Sequence, residues 1–109
     1  MDRELKRGSA EMMILSLLDE QPRHGYELLK LLEERSDGVL TFHIGSVYPI
    51  LLRLDTHGWI SGEKPEAEGG RRKRAYRITP AGRKVLEDQR RTWREMVLAI
   101  DRLAGTHLA

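Results

Sequence analysis

Apolar positions along this chain recur with a helical period in four stretches and alternate in two short ones. The stretch from Ser9 to Asp19 carries Met12, Met13, Ile14, Leu15, Leu17 and Leu18. Its length and its Ala, Met and Leu content predict a helix rather than a buried strand. Gln21-Pro22 ends it. From about Gly25 to Arg35, Leu28, Leu29 and Leu32 share a face with Tyr26 one turn earlier, while Glu27, Lys30, Glu33 and Glu34 take the rest. That is a short amphipathic helix. Ser36-Asp37-Gly38 closes it, with Gly38 available for a left-handed cap. In the third stretch Val47, Ile50, Leu51 and Leu54 form an i, i+3, i+4, i+7 stripe. It predicts a helix from Ile44–Ser46 to about His57, stopped by Gly58. Pro49 costs least in a first turn, so a start near Gly45 is expected, or a kink if the helix begins earlier. Ser46, Tyr48, Leu52 and Arg53 lie off the core stripe.

Two extended segments follow, at residues 59–64 and 73–78, with Glu-Ala-Glu-Gly-Gly in the connection between them. This is hairpin chemistry, and Ile60, Tyr76 and Ile78 offer it an apolar inner face. Thr79-Pro80 then starts a last helix, with threonine as the cap and proline at the first helical position. It runs to roughly Ala104. Leu86, Gln89, Trp93, Met96, Ile100 and Leu103 recur in it at spacings of three and four, with Val85 and Val97 widening the seam. A helix of about 25 residues is roughly 37 Å long and overshoots a three-helix core. Part of its stripe therefore needs another partner.

Three compact helices, a hairpin and a long helix make a mainly α winged helix-turn-helix with a two-stranded wing. The expected division is a winged helix-turn-helix part suited to DNA binding at residues 1–79 and a C-terminal dimerisation helix at residues 80–109, within one compact unit. A chain of 109 residues holds one core and little more. The formal net charge is only +2, but its distribution changes the picture. Residues 69–94 hold ten Lys and Arg against two acids, while thirteen of the seventeen acids lie in residues 1–68. Such a local field attracts a polyanion. There is no cysteine, so disulfides and Cys-based zinc sites are excluded. No apolar run approaches 18 residues and no secretory signal is visible, so a cytoplasmic protein without a membrane partner is expected. His24, His43, His57 and His107 form no ligand set, and neither metal nor cofactor is expected. No P-loop, nucleophile elbow or paired-carboxylate motif is present, so no enzyme is expected.

A helix fits the major groove of B-DNA, and the third helix has an inner face that anchors it and an outer face free to meet bases. The hairpin brings Arg71, Arg72, Lys73 and Arg74 to the neighbouring backbone or minor groove. Phosphate contacts of this kind carry affinity and make it salt-dependent. Four segments, in this order, resemble the PadR family of bacterial regulators. They are His24-Gly25-Tyr26-Glu27-Leu28, Gly45-Ser46-Val47-Tyr48-Pro49, Leu54 through Gly58-Trp59-Ile60, and Gly69-Gly70-Arg71-Arg72-Lys73-Arg74-Ala75-Tyr76-Arg77-Ile78-Thr79-Pro80-Ala81-Gly82. The resemblance extends over about residues 8–95. Thr41-Phe42-His43-Ile44 depart from the Ser-Pro or Asn-rich stretch expected there.

The resemblance implies a homodimer, a repressor in most members, on a palindromic operator of double-stranded DNA. Many such proteins release DNA on binding a small aromatic or cationic effector. It assigns Ser46, Tyr48 and Arg53 to DNA contact, Tyr26 to a phosphate, and Arg71 and Arg72 to the wing, with Lys73 beside them. Simpler roles stand beside these: Tyr48 packed on the wing, Tyr26 at the core edge, Ser46 as a local cap, and Arg53 paired with Asp55 or a second-helix glutamate. Trp93 is the candidate ligand plate, since two-fold symmetry brings it near its mate. Leu86, Trp93, Met96, Val97, Ile100 and Leu103 are the candidate dimer seam. The alternative function is a winged-helix protein-interaction module without specific DNA binding.

Overall fold

A computed structural model describes residues 3–63 and 74–106. The elements run α1 (Arg3–Glu20), β1 (Arg23–His24), α2 (Gly25–Arg35), α3 (Ile44–Thr56), β2 (Ile60–Gly62), β3 (Ala75–Ile78) and α4 (Pro80–Ala104). The four expected helices are present, and α4 ends at the expected residue. The strands form one antiparallel sheet in the order β1-β3-β2. Ile60 pairs with Ile78 and Gly62 with Tyr76 in the hairpin, while Arg23 pairs with Tyr76 on the other edge of β3. The two-stranded wing thus gains a third strand, too short to leave a periodic signal.

Helix α1 lies at the centre and packs against α2, α3, α4 and β3. Ile14, Leu15 and Leu18 meet Leu28 and Leu32, Val47, Leu51 and Leu54, Ile60 and Ile78, and Leu86 in one buried cluster. The ends of α3 and α4 interlock. Gly58 takes φ +76°, and the Gly58 and Trp59 N–H groups donate to the carbonyls of Asp55 and Leu54 at 2.9 and 3.0 Å. This pair of bonds closes the helix in the left-handed manner that glycine permits. The Thr79 hydroxyl accepts from Gly82 N–H at 3.0 Å and donates to the Gly58 carbonyl at 2.7 Å. One side chain therefore caps α4 and ties it to the end of α3.

Helix α3 starts at Ile44, so Pro49 sits in the second turn rather than the first. Lacking an N–H, it leaves the Gly45 carbonyl without its i+4 donor. Gly45 is exposed, so water can meet that carbonyl.

A buried arginine joins α1 to the sheet. Arg23 Nε donates to the Leu17 carbonyl at 3.0 Å and Nη2 donates to Glu20 Oε1 at 2.7 Å. Arg35 of α2 donates to the other Glu20 oxygen at 2.5 Å. The Arg35 bond, with help from Arg23, lowers the Glu20 pKa below its ordinary value of 4.5, against a smaller opposing effect of desolvation. A depressed carboxyl pKa stabilises the fold at pH values above the unfolded pKa, and that stability is lost as pH falls through the folded pKa. Glu20→Gln should therefore flatten the acid side of the stability profile. Urea midpoints between about pH 5 and pH 3 should fall less steeply in the variant; equal slopes would show that Glu20 plays no part.

Candidate nucleic-acid interface

In the inner stripe of α3, Val47, Leu51 and Leu54 are buried and Ile50 is half-buried, and the other positions divide around the outward surface. Gly45, Pro49, Leu52 and Thr56 are exposed along the line opposite the core stripe. Ser46 and Arg53 flank that line on one side, and Tyr48 and Asp55 on the other. Ser46 is exposed, as expected for a DNA contact. Arg53 is exposed but forms an ion pair with Glu11 of α1, an acid not among the partners considered for it. Its guanidinium is held at the α1 side of α3.

Tyr48 is directed the other way. The start of α2 lies beside its ring: a β-carbon at Gly25 would sit in ordinary contact with it, at 3.7 Å. Tyr26, in the first turn of α2, is 56% exposed and is not a core residue. Glu27 accepts from the His24 N–H at 3.0 Å and so satisfies one amide at that helix start.

Tyr48, Leu52 and Asp55 also wall a groove of about 480 Å³ with Arg74 and Tyr76 of the wing base. Arg74 lies across Gly62: a β-carbon there would come within 2.7 Å of Arg74 Cδ. Burial pushes the Tyr76 hydroxyl pKa up, while Arg74 opposes the shift. Arg77 pairs with Glu63 across the hairpin at 2.7 Å. The remaining wing candidates, Arg71, Arg72 and Lys73, lie outside the described residues.

The dimer candidates divide in two. Leu86 is 1% exposed and belongs to the protomer's own core, so it is not available to a partner. The seam and the core stripe coincide in the first turns of α4, and there the core takes the residue. Farther along, Met96, Ile100 and Leu103 are exposed, while Trp93 and Val97 are half-buried. The polar seam residue, Gln89, keeps its Oε1 buried without a hydrogen bond among the described residues. Trp93 walls a groove of about 530 Å³ with Met12, Met13, Leu17 and Leu31, and Arg90 and Arg94 also line it. Among the described residues, no three His, Cys, Asp or Glu side chains gather into a set fit for a metal ion, and no helix is long and apolar enough to cross a membrane.

The sequence profile of the PadR-like transcriptional regulator family matches residues 14–88. The chain belongs to the PadR-like family. It is accordingly a DNA-binding transcriptional regulator and not an enzyme. It is 34% identical over 94 residues to transcriptional regulator Rv3488 of Mycobacterium tuberculosis, covering 86% of this chain and 84% of that one. A transcriptional regulator from Clostridium thermocellum superposes with a TM-score of 0.86 at 28% identity, over 94% of this chain and 96% of the other. A PadR family regulator from Eggerthella lenta gives 0.80 at 30% identity, over 95% and 88%. The PadR-like match takes in α2, α3, the hairpin and the start of α4. It stops before Trp93, Met96, Val97, Ile100 and Leu103.

Leu52 stands on the outward face beside Arg74, and of the two only Arg74 was expected near DNA. The helical period places Leu52 on the outward face of α3, but an apolar side chain gives no electrostatic signal there. Arg74 was legible only as one member of the basic run.

Proposed function

We propose that this PadR-like regulator is a homodimeric repressor that binds a palindromic operator and is released by a small aromatic or cationic effector. The observation that supports it best is the division of surfaces. The outward face of α3 and Arg74 at the wing base border one groove, and Gly25, next in the chain to the exposed Tyr26, lies beside Tyr48. The exposed Met96, Ile100 and Leu103 lie on the distal half of α4, which the protomer's own core does not cover. In this reading Ser46 and Tyr48 contact DNA, Arg53 reaches a phosphate only by leaving Glu11, and Tyr26 meets the backbone. Arg71, Arg72 and Lys73 carry the wing contact. Two α3 helices then enter successive major grooves about 34 Å apart. The effector meets Trp93 in the groove beside α1.

The wing decides between this reading and a protein-interaction module. Replacing Arg71 and Arg72 together with alanine should weaken operator binding and reduce the slope of log K against log salt by about 1.8, since each lost phosphate contact removes about 0.9. Fluorescence anisotropy at several salt concentrations measures both. Unchanged affinity and slope would overturn the assignment of the wing to DNA.

A further inference from the structure

The middle of the outward face of α3 is poor in hydrogen-bond donors. With about 100° per residue, the line opposite Val47, Ile50, Leu51 and Leu54 passes through Gly45, Pro49, Leu52 and Thr56. Gly45 has no side chain and Pro49 has no N–H. The Thr56 hydroxyl donates to the Leu52 carbonyl at 2.8 Å, which commits its proton within the helix. The hydrogen-bonding side chains stand to either side, where Arg53 is engaged by Glu11 and Tyr48 lies beside Gly25. Leu52 is the one large side chain on the central ridge, and it is 68% exposed. A single exposed leucine needs no explanation on most surfaces. This one stands where a helix laid in the major groove comes closest to the base edges.

An apolar group in the major groove has one complementary feature, the C5-methyl of thymine. We propose that Leu52 is a specificity-determining residue that selects thymine by packing against this methyl. The inference rests on the DNA-binding reading above and adds how a ridge without donors reads sequence. Flanking residues and the wing anchor the helix on phosphates, and Leu52 distinguishes thymine from cytosine by contact.

The test uses the full-length chain. A duplex bound by the wild-type protein is first selected from a random library. Each thymine of one half-site is then replaced by deoxyuridine, which removes the methyl and keeps every hydrogen-bonding group. At one or two positions the wild type should bind about fourfold more weakly, the equivalent of one buried methyl. In Leu52→Ala, whose exposed site leaves the fold intact by circular dichroism, the same replacement should change affinity by less than about 1.5-fold. Leu52→Gln should move the selected base at that position toward adenine, which glutamine can bond at N6 and N7. Equal deoxyuridine effects in wild type and Leu52→Ala, or an identical selected sequence for all three proteins, would overturn the role of Leu52 while leaving DNA binding in place. If the wild type selects no duplex at all, the proposed function fails and this inference with it.

Discussion

Gly82→Ala should be among the most destabilising single substitutions in the chain, lowering stability by about 3 kcal/mol. A β-carbon at this position would lie 2.0 Å from the Trp59 carbonyl oxygen and 2.8 Å from Ile78 Cγ1. Neither neighbour can yield cheaply. The Trp59 carbonyl accepts from Thr79 N–H at 3.0 Å, and Ile78 is buried in the hairpin core. Gly82 N–H also holds the Thr79 cap. Relief therefore requires the first turn of α4 to move off the sheet, taking Leu86 out of the core. For a domain of this size the loss amounts to on the order of 15 °C in Tm. Thermal unfolding followed by circular dichroism reads it directly. Gly45→Ala is the control: nothing lies within 4 Å of its added carbon, and alanine in a helix should be neutral or slightly stabilising. A Gly82→Ala protein as stable as that control would show that the α3–α4 junction is not tightly packed.

The residues that made this junction legible in sequence are those whose backbone chemistry is local. Thr79-Pro80 announces a helix start and Gly58 a helix end whatever surrounds them, and both stand where expected. Features set by distant residues were not legible. Strand β1 is two residues long and exists because β3 offers an open edge to Arg23 and His24. Arg53 reads as a DNA contact or as a partner of Asp55 or a second-helix glutamate until α1 brings Glu11 alongside, 42 positions away in the chain. Pro49 argues locally for a later helix start. The structure begins α3 at Ile44, at the early edge of the expected range, with Pro49 in the second turn. Leu86 satisfies two periodicities at once. The spacing of α4 says that a stripe exists, but not how many of its turns the protomer's own core consumes.

That division of the stripe sets the second large expectation: Met96→Asp combined with Ile100→Asp should convert the proposed homodimer to a monomer. These side chains are 42% and 48% exposed, so the protomer loses little packing when they change. In a dimer both would be buried against apolar groups, and an unpaired carboxylate there costs several kcal/mol. Sedimentation equilibrium should report the single-chain mass of 12.6 kDa with helical circular dichroism retained. A variant that remains dimeric would place the interface elsewhere, with the apolar groove beside α1 next in line. Operator binding should fall with the dimer by about 100-fold or more. A linked second half-site binds at millimolar effective concentration, and a monomer forfeits that advantage. The loss should be much smaller on a single half-site, which separates a broken dimer from a damaged DNA surface. Thr79 gives this coupling a structural route. Its hydroxyl joins the start of α4 to the end of α3, so in the proposed dimer a change in how two α4 helices cross would be carried to the spacing of the two α3 helices. An effector bound beside Trp93 acts on DNA affinity through this route only if it binds the two spacings with different affinity.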